Sequence, residues 1–230
     1  KRFGVSVTTD NRYCTQQADI VVLAVKPQVM GDVCRDIAPV VQNTRPLMVS
    51  IAAGLTAGTL DTWLGGGLPL VRVMPNTPSL VGKGAAGLFA NSQVKDDQRN
   101  AVQKVFESIG SALWVDDENL LHSVTALSGS GPAYFFLMLE ALESAATEAG
   151  IESETARALA IQTMAGAAEM AARSEDDPGQ LKRNVMSPGG TTERAINTFE
   201  EGGLRDLVKK AYSAAFERSR EMSRELADKQ

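Results

Sequence analysis

The chain contains one histidine, His122, and two cysteines, Cys14 and Cys34, in 230 residues. A lone histidine leaves no material for a multi-histidine metal centre or a Ser-His-Asp triad. The cysteines are too few and too far apart for a zinc site or a CxxC redox pair. No apolar run is long enough to span a membrane, and no signal peptide is visible, since the chain turns polar by Thr8. Basic residues are not in excess either: 23 Lys and Arg stand against 28 Asp and Glu, a net charge of −5. That balance argues against nucleic acid or anionic membrane as a main partner. What remains is 43% hydrophobic and 22% charged, the composition of an ordinary soluble protein with one large or two modest cores, by default in a reducing cytoplasm.

The two halves of the chain follow different patterns. In the first half, strand-like segments at residues 5–7, 20–25, 47–51, 70–73, 85–90 and 112–115 alternate with helical patterns near 13–18, 30–41, 56–64 and 95–109. The unbroken apolar run Ile20-Val21-Val22-Leu23-Ala24-Val25 is expected of a parallel strand covered on both faces. Such alternation predicts an open α/β sheet, with ligands bound beyond the carboxyl ends of its strands. Three of those ends carry small residues or prolines: Val25 runs into Lys26-Pro27, Ile51 into Ala52-Ala53-Gly54, and Val73 into Met74-Pro75-Asn76-Thr77-Pro78. Any one is an ordinary turn; three at one sheet edge favour a nucleotide crevice.

After Val115 the strand signals stop. Helices are predicted at 120–126, 132–149, 155–173, 180–185, 192–200 and 204–227. Pro132 suits a first helical turn, Gly150 a helix end, and Asp177-Pro178 a second cap-and-proline start. The stretch 163–172 is nearly all Ala and Gly with two Met, suited to close helix–helix contact, including contact with a second subunit. The domain boundary is placed near Asp116–Glu118, giving a dinucleotide-binding domain at 1–117 and an all-helical domain at 118–230.

A dinucleotide-binding sheet ordinarily carries GxGxxG between its first strand and first helix, and this chain has none. Gly65-Gly66-Gly67 precedes a strand, the wrong side of that motif. The chain also opens at Lys1 without an initiator methionine and almost directly on a strand-like segment, so the first βα unit is expected to be missing. Residues 5–7 then become the second strand, whose end meets the adenosine ribose. There, Asp10 suits the ribose hydroxyls of NAD, whereas Asn11 and Arg12 suit the 2′-phosphate of NADP. Residue type alone leaves the two open.

Near the C-terminus stands Ser187-Pro188-Gly189-Gly190-Thr191-Thr192, a glycine-rich loop opening onto a helix. Unpartnered amides at such a helix start attract anions. The plain alternative is a capped helix after a turn, with Thr191 or Thr192 as N-cap.

Taken together, Ala24-Val25-Lys26-Pro27, Met74-Pro75-Asn76-Thr77-Pro78, the run Ala126 to Tyr134 (ALSGSGPAY), and Pro178-Gly179-Gln180-Leu181 leading through Asn184-Val185 to Ser187 and Thr192 resemble pyrroline-5-carboxylate reductase. Their order and spacing fit along almost the whole chain, and the last block is the family's signature. The departure is the N-terminus, where the family's phosphate-binding glycines should stand. The resemblance implies an α/β Rossmann-like, doubly wound N-terminal domain and an all-α C-terminal dimerisation domain. It implies an intertwined dimer, often assembled into a decamer. The implied reaction is hydride transfer from NADPH, or NADH, to 1-pyrroline-5-carboxylate, giving L-proline. On the cofactor side the matching positions are Asn11, Ala24, Val25, Lys26, Pro27, Ala53, Asn76 and Asn184. In the substrate pocket they are Glu118, Ser187, Gly189, Gly190, Thr191 and Thr192, the pocket combining one subunit's sheet domain with another's helices.

A pyrroline nitrogen is basic enough to be protonated near neutral pH, so a hydroxyl that orients it is sufficient. That role is assigned to Thr192, with the carboxylate on the amides around residues 187–191. His122, beside Leu121 and Val124 at the domain junction, is expected to be structural, and Tyr134 to be interface or core. Lys26 is open between solvated lysine and cofactor contact. Two competing readings remain. A β-hydroxyacid-dehydrogenase-type reductase needs a catalytic lysine on the first long helix of the second domain, and residues 132–149 contain none. A non-catalytic scaffold draws support from the absent glycine loop but has little use for the intact loop at 187–192.

Overall fold

The computed structural model describes residues 4–228. Five strands form one sheet in the order β1 (Ile20–Leu23), β2 (Leu47–Ser50), β3 (Leu70–Met74), β4 (Gly84–Ala90) and β5 (Gly110–Trp114). β1, β2 and β3 are parallel, β4 is antiparallel to β3, and β5 is parallel to β4. The carboxyl ends of β1, β2 and β3 therefore share one edge, as the alternation predicts. α1 (Asn11–Gln16) precedes the sheet, and α2 (Pro27–Thr44), α3 (Ala57–Trp63) and α4 (Asp96–Glu107) connect its strands.

Period-2 alternation sends side chains to opposite faces of the sheet. Met48 and Leu70 join Met30, Ile37 and Val41 of α2 and Leu60 of α3 in one buried cluster. Leu47, Val49, Val71 and Val73 join Val102 and Phe106 of α4 in the other. Both faces are thus covered, the Rossmann-like arrangement, and all four residues of β2 are buried. α2 starts with Pro27 in its first turn and ends where Arg45 adopts a left-handed conformation at φ 50°.

Residues 5–7, expected as a strand, are not one. A strand needs a hydrogen-bonding neighbour; β1 pairs only with β2, and Val5 and Val7 are exposed. The helical segments otherwise lie within a few residues of expectation: α5 (Leu120–Val124), α6 (Gly131–Glu148), α7 (Ser153–Arg173), α8 (Pro178–Asn184), α9 (Thr191–Glu201) and α10 (Leu204–Asp228). Asp177 caps α8 by accepting from the Gln180 amide at 2.9 Å, and Gly150, at φ 101°, follows α6. Two short elements were not anticipated, a 3-10 turn at Thr77–Val81 and a π-helical turn at Thr125–Gly129.

Contacts divide the chain into two compact units. Residues 1–132 with 212–230 make the first, and residues 133–211 the second. In the first, α5 lies on β4 at Gly87, where an added Cβ would come within 2.7 Å of the Val124 methyls. His122 of α5 shares a 2.9 Å hydrogen bond through Nδ1 with Ser219 Oγ of α10, and its ring meets Phe216 edge-on. Burial and the positive charges of Arg72 and Arg220 lower the His122 pKa, against a smaller opposing pull from Glu118.

The second unit has little interior of its own. Among its described residues only Ala156 is buried, while Phe135, Phe136 and Leu137 of α6 and Leu159, Ile161 and Met170 of α7 are exposed. Its helices are tied by ion pairs instead: Glu143 of α6 to Arg157 of α7, and Glu200 of α9 to Lys182 and Arg205. Hydrogen bonds from Arg205 and Lys182 hold the Glu200 carboxyl down at about 2. Among the described residues, no helix is long and apolar enough to cross a membrane.

Two outcomes follow from the packing around α5. Gly87→Ala should destabilise the protein by about 1–3 kcal/mol through overpacking against Val124, and Val124→Ala in the same chain should recover most of it, measured by urea unfolding. The neutral His122 favoured in the fold makes the unfolded state bind more protons as pH falls below the ordinary value of 6.5. Stability should therefore fall as pH drops from 6.5 towards the lowered folded value, and His122→Asn should show a flatter melting temperature across that interval.

Candidate active site

The carboxyl edge of β1–β3 gathers most of the expected cofactor positions in the first unit. Ala24 and Val25 follow β1 and are exposed; Lys26 is the N-cap of α2, with no side chain bonded to the helix amides, and Pro27 is its first residue. Ala53 sits half-buried in the turn after β2. Small side chains on two strand ends and an exposed lysine beside an uncapped helix start suit the flat rings and anionic linker of a dinucleotide. The chain's own residues fit that half of the cofactor; the glycine turn that cradles the diphosphate is not in its sequence.

Several expected residues have internal tasks. Asn76 uses both ends of its side chain: Nδ2 donates to the Ser128 carbonyl at 3.0 Å, and Oδ1 accepts from the Ala85 amide at 2.8 Å. It fastens the end of β3 to the π-helical turn and to β4. Asn11 is the exposed first residue of α1. Beside it, Asp10 is committed as N-cap, accepting from the Tyr13 amide at 3.0 Å. Arg12 is held by Asp36 of α2 through Nε and Nη2, each 2.9 Å from Oδ1.

Glu118 lies at the foot of α5 in the first unit. Its Oε1 accepts from Arg72 Nη1 at 2.8 Å and from the Ala57 amide at 2.5 Å. Arg72 stands on β3 with its side chain 8% exposed, and its Nε is buried without a partner. Removing one partner of such a pair strands a charge, at about 3–5 kcal/mol where both are fully buried and less with Glu118 partly exposed. Arg72 was not anticipated. The available signal was a single charge inside the apolar run Leu70-Val71-Arg72-Val73, since a guanidinium in a buried strand requires an acceptor.

The remaining positions belong to the second unit. Asn184 ends α8, with Oδ1 accepting from Gln180 at 2.7 Å and Nδ2 donating to Asp176 at 3.2 Å. The residues that follow form a tight turn, in which the Gly190 amide donates to the Ser187 carbonyl at 2.9 Å. Gly189 has φ 72°, and a Cβ on Gly190 would lie 2.9 Å from the Ser187 oxygen, so both positions require glycine.

The N-cap of α9 is Gly190, with no side-chain cap, rather than Thr191 or Thr192. The turn closes early enough that the helix begins at Thr191, placing both hydroxyls inside the first turn, where cap geometry is not available. Glu193 reaches back to accept from the Gly189 amide at 2.7 Å, bracing the turn in the manner of a capping box. Two threonine hydroxyls thus stand beside the amides of a helix start. That pairing can take an anionic group and one hydrogen-bonding atom. Among the described residues no cluster of ligating side chains could hold a metal ion.

The family described as pyrroline-5-carboxylate reductase dimerisation matches residues 118–222, and that described as NADP oxidoreductase, coenzyme F420-dependent, matches residues 1–54. The chain is 47% identical over 224 residues to a pyrroline-5-carboxylate reductase of Pseudomonas aeruginosa, covering 97% of this chain and 82% of that protein. It is 41% identical to one from Glycine max, covering 96% and 80%. Among solved structures, a pyrroline-5-carboxylate reductase from Coxiella burnetii superposes with a TM-score of 0.94 at 46% identity, covering 97% of this chain and 83% of that one. A Plasmodium falciparum pyrroline carboxylate reductase with NADP bound gives 0.85 at 35% identity, covering 94% and 81%. The strand-end loops, the Ser187–Gly190 turn and relatives matched along nearly the whole chain agree: it belongs to the pyrroline-5-carboxylate reductase family.

Proposed function

We propose that the chain divides its reaction between a cofactor-binding domain at 1–117 and a substrate-binding and dimerisation domain at 118–230. As a member of this family it reduces 1-pyrroline-5-carboxylate to L-proline, the last step of proline biosynthesis, using NAD(P)H. When bound, the nicotinamide supplies the hydride. Ala24, Val25, Lys26, Pro27 and Ala53 line its path along the sheet edge, with Asn11 at the adenosine end, Asn76 fastening the third strand-end loop, and Asn184 contributing from the helical domain. NADPH is the expected form.

The observation that carries the substrate assignment is the Ser187–Gly190 turn opening onto α9. The substrate carboxylate lies against the turn of Ser187, Gly189, Gly190 and Thr191. The Gly189 and Gly190 amides are engaged by Glu193 and the Ser187 carbonyl, so its donors are the helix-start amides of Thr191 and Thr192. Thr192 then orients the protonated imine nitrogen. No strong acid is required, because the pyrroline nitrogen is itself basic. Catalysis is chiefly positioning: an anchored carboxylate fixes the distance and angle at which the imine carbon accepts hydride. The family's dimerisation region and the exposed apolar faces of α6 and α7 support self-association. An intertwined dimer, assembled further into a decamer, is the form we propose, located in the cytoplasm. The hydroxyacid-dehydrogenase reading finds no lysine on α6, whose sequence is GPAYFFLMLEALESAATE.

Thr192→Ala should lower turnover of pyrroline-5-carboxylate by about ten- to a hundredfold, the range for losing one hydrogen bond to a charged group, and Thr192→Ser should retain most of it. Steady-state oxidation of NADPH reads both. Unchanged kinetics in the alanine variant would take Thr192 out of the mechanism, and failure of the full-length wild-type protein to oxidise NADPH with this imine would sink the assignment.

A further inference from the structure

The turn between β2 and α3 carries Ala53 and is fixed from several directions. At its far end the Ala57 amide, in the first turn of α3, donates to Glu118 Oε1 at 2.5 Å. The same oxygen receives Arg72 Nη1 at 2.8 Å. Arg72 in turn is rooted in β3, directly opposite Ser50, the last residue of β2. Ser50 Oγ accepts from the Ala52 amide at 3.3 Å. From another side α10 presses on the turn: Gly54 has φ 81°, and a Cβ there would lie 2.9 Å from Leu226 Cδ1. One carboxylate oxygen therefore couples a strand of the sheet, the start of α3 and the foot of α5.

We propose that Glu118 is a positioning residue for the cofactor: paired with Arg72, it holds the β2–α3 turn so that Ala53 meets the nicotinamide half, and it does not act by touching the imine substrate. This rests on the reading of Ala53 as cofactor-facing. Three features favour it over direct substrate contact. The Glu118 oxygen already accepts two donors, one of them a main-chain amide. Arg72 is a permanent charge in a buried strand and holds the Glu118 carboxylate at close range. The third is covalent proximity: Ala57 is four residues beyond Ala53 in the same turn, so displacement of one is felt at the other.

The test measures NADPH affinity by fluorescence titration, the KM for pyrroline-5-carboxylate, and the melting temperature, in full-length protein. Glu118→Ala should weaken NADPH about tenfold, the scale of one lost charge-assisted hydrogen bond, with the imine KM within about twofold of wild type. Glu118→Gln keeps an acceptor for the Ala57 amide but leaves the Arg72 charge unpaired. Its NADPH affinity should stay near wild type while its melting temperature falls. The double variant Arg72→Met with Glu118→Met removes both charges, so its melting temperature should recover while NADPH affinity stays weak. A role confined to stability would make affinity follow melting temperature through all three variants, and that pattern would overturn the proposal. A rise in imine KM with NADPH affinity unchanged would overturn it as well, returning Glu118 to the substrate pocket. Because NADPH binding is read without turnover, the result stands apart from whether the imine is the substrate.

Discussion

A guanidinium inside a sheet is the constraint around which the first unit is organised. Arg72 cannot shed its charge, and its neighbours on β3, Leu70, Val71 and Val73, are buried hydrophobics. An acceptor must therefore be brought to it, and the chain brings Glu118 from just beyond the last strand. That requirement sets where the chain turns after β5, and hence where α5 lies. α5 then places Val124 over Gly87 and His122 against Ser219 of α10. One buried charge thus links the sheet, α5 and the part of α10 that belongs to the first unit.

The shared strand-end edge depends on the same arrangement. Parallel pairing of β1, β2 and β3 places their carboxyl ends side by side, but pairing alone leaves the loops beyond them free to move. Side-chain to main-chain hydrogen bonds fix two of those loops. Asn76 holds the third strand's loop to the π-helical turn, and Glu118 holds the second at Ala57. A π-helical turn is an uncommon element, often found at functional sites; here it offers the Ser128 carbonyl to Asn76. The second unit follows a different logic. With Ala156 as its one buried described residue, its long apolar helices cannot make a core unaided, and burial against another copy supplies what the single chain lacks.

Much of this was legible in the sequence. Five strands, the helical second half, the shared strand-end edge and the glycine turn before α9 all follow from periodicity and from the few residues able to adopt positive φ. The misses have identifiable causes. Residues 5–7 have strand composition, but a strand is made by its neighbour, and composition says nothing of whether a neighbour is present. The threonines at 191 and 192 have the chemistry of helix caps, yet the compact turn at Gly189 and Gly190 starts the helix before them. Asp10 and Arg12, left open as ribose or phosphate contacts, are no miss; each also makes a local bond, one as a cap and one with Asp36.

The sequence by itself determined the family, the fold class and the signature turn, because these are written in local patterns: alternation of apolar residues, glycines where side chains cannot fit, prolines at helix starts. The tertiary structure alone decided the partners of the buried polar groups. Arg72 and Glu118 lie 46 residues apart, and Glu118 and Ala57 lie 61 apart. Nothing in local spacing brings such groups together. The cost of burying a charge without an acceptor does, and that cost is felt only once the strands have closed around it.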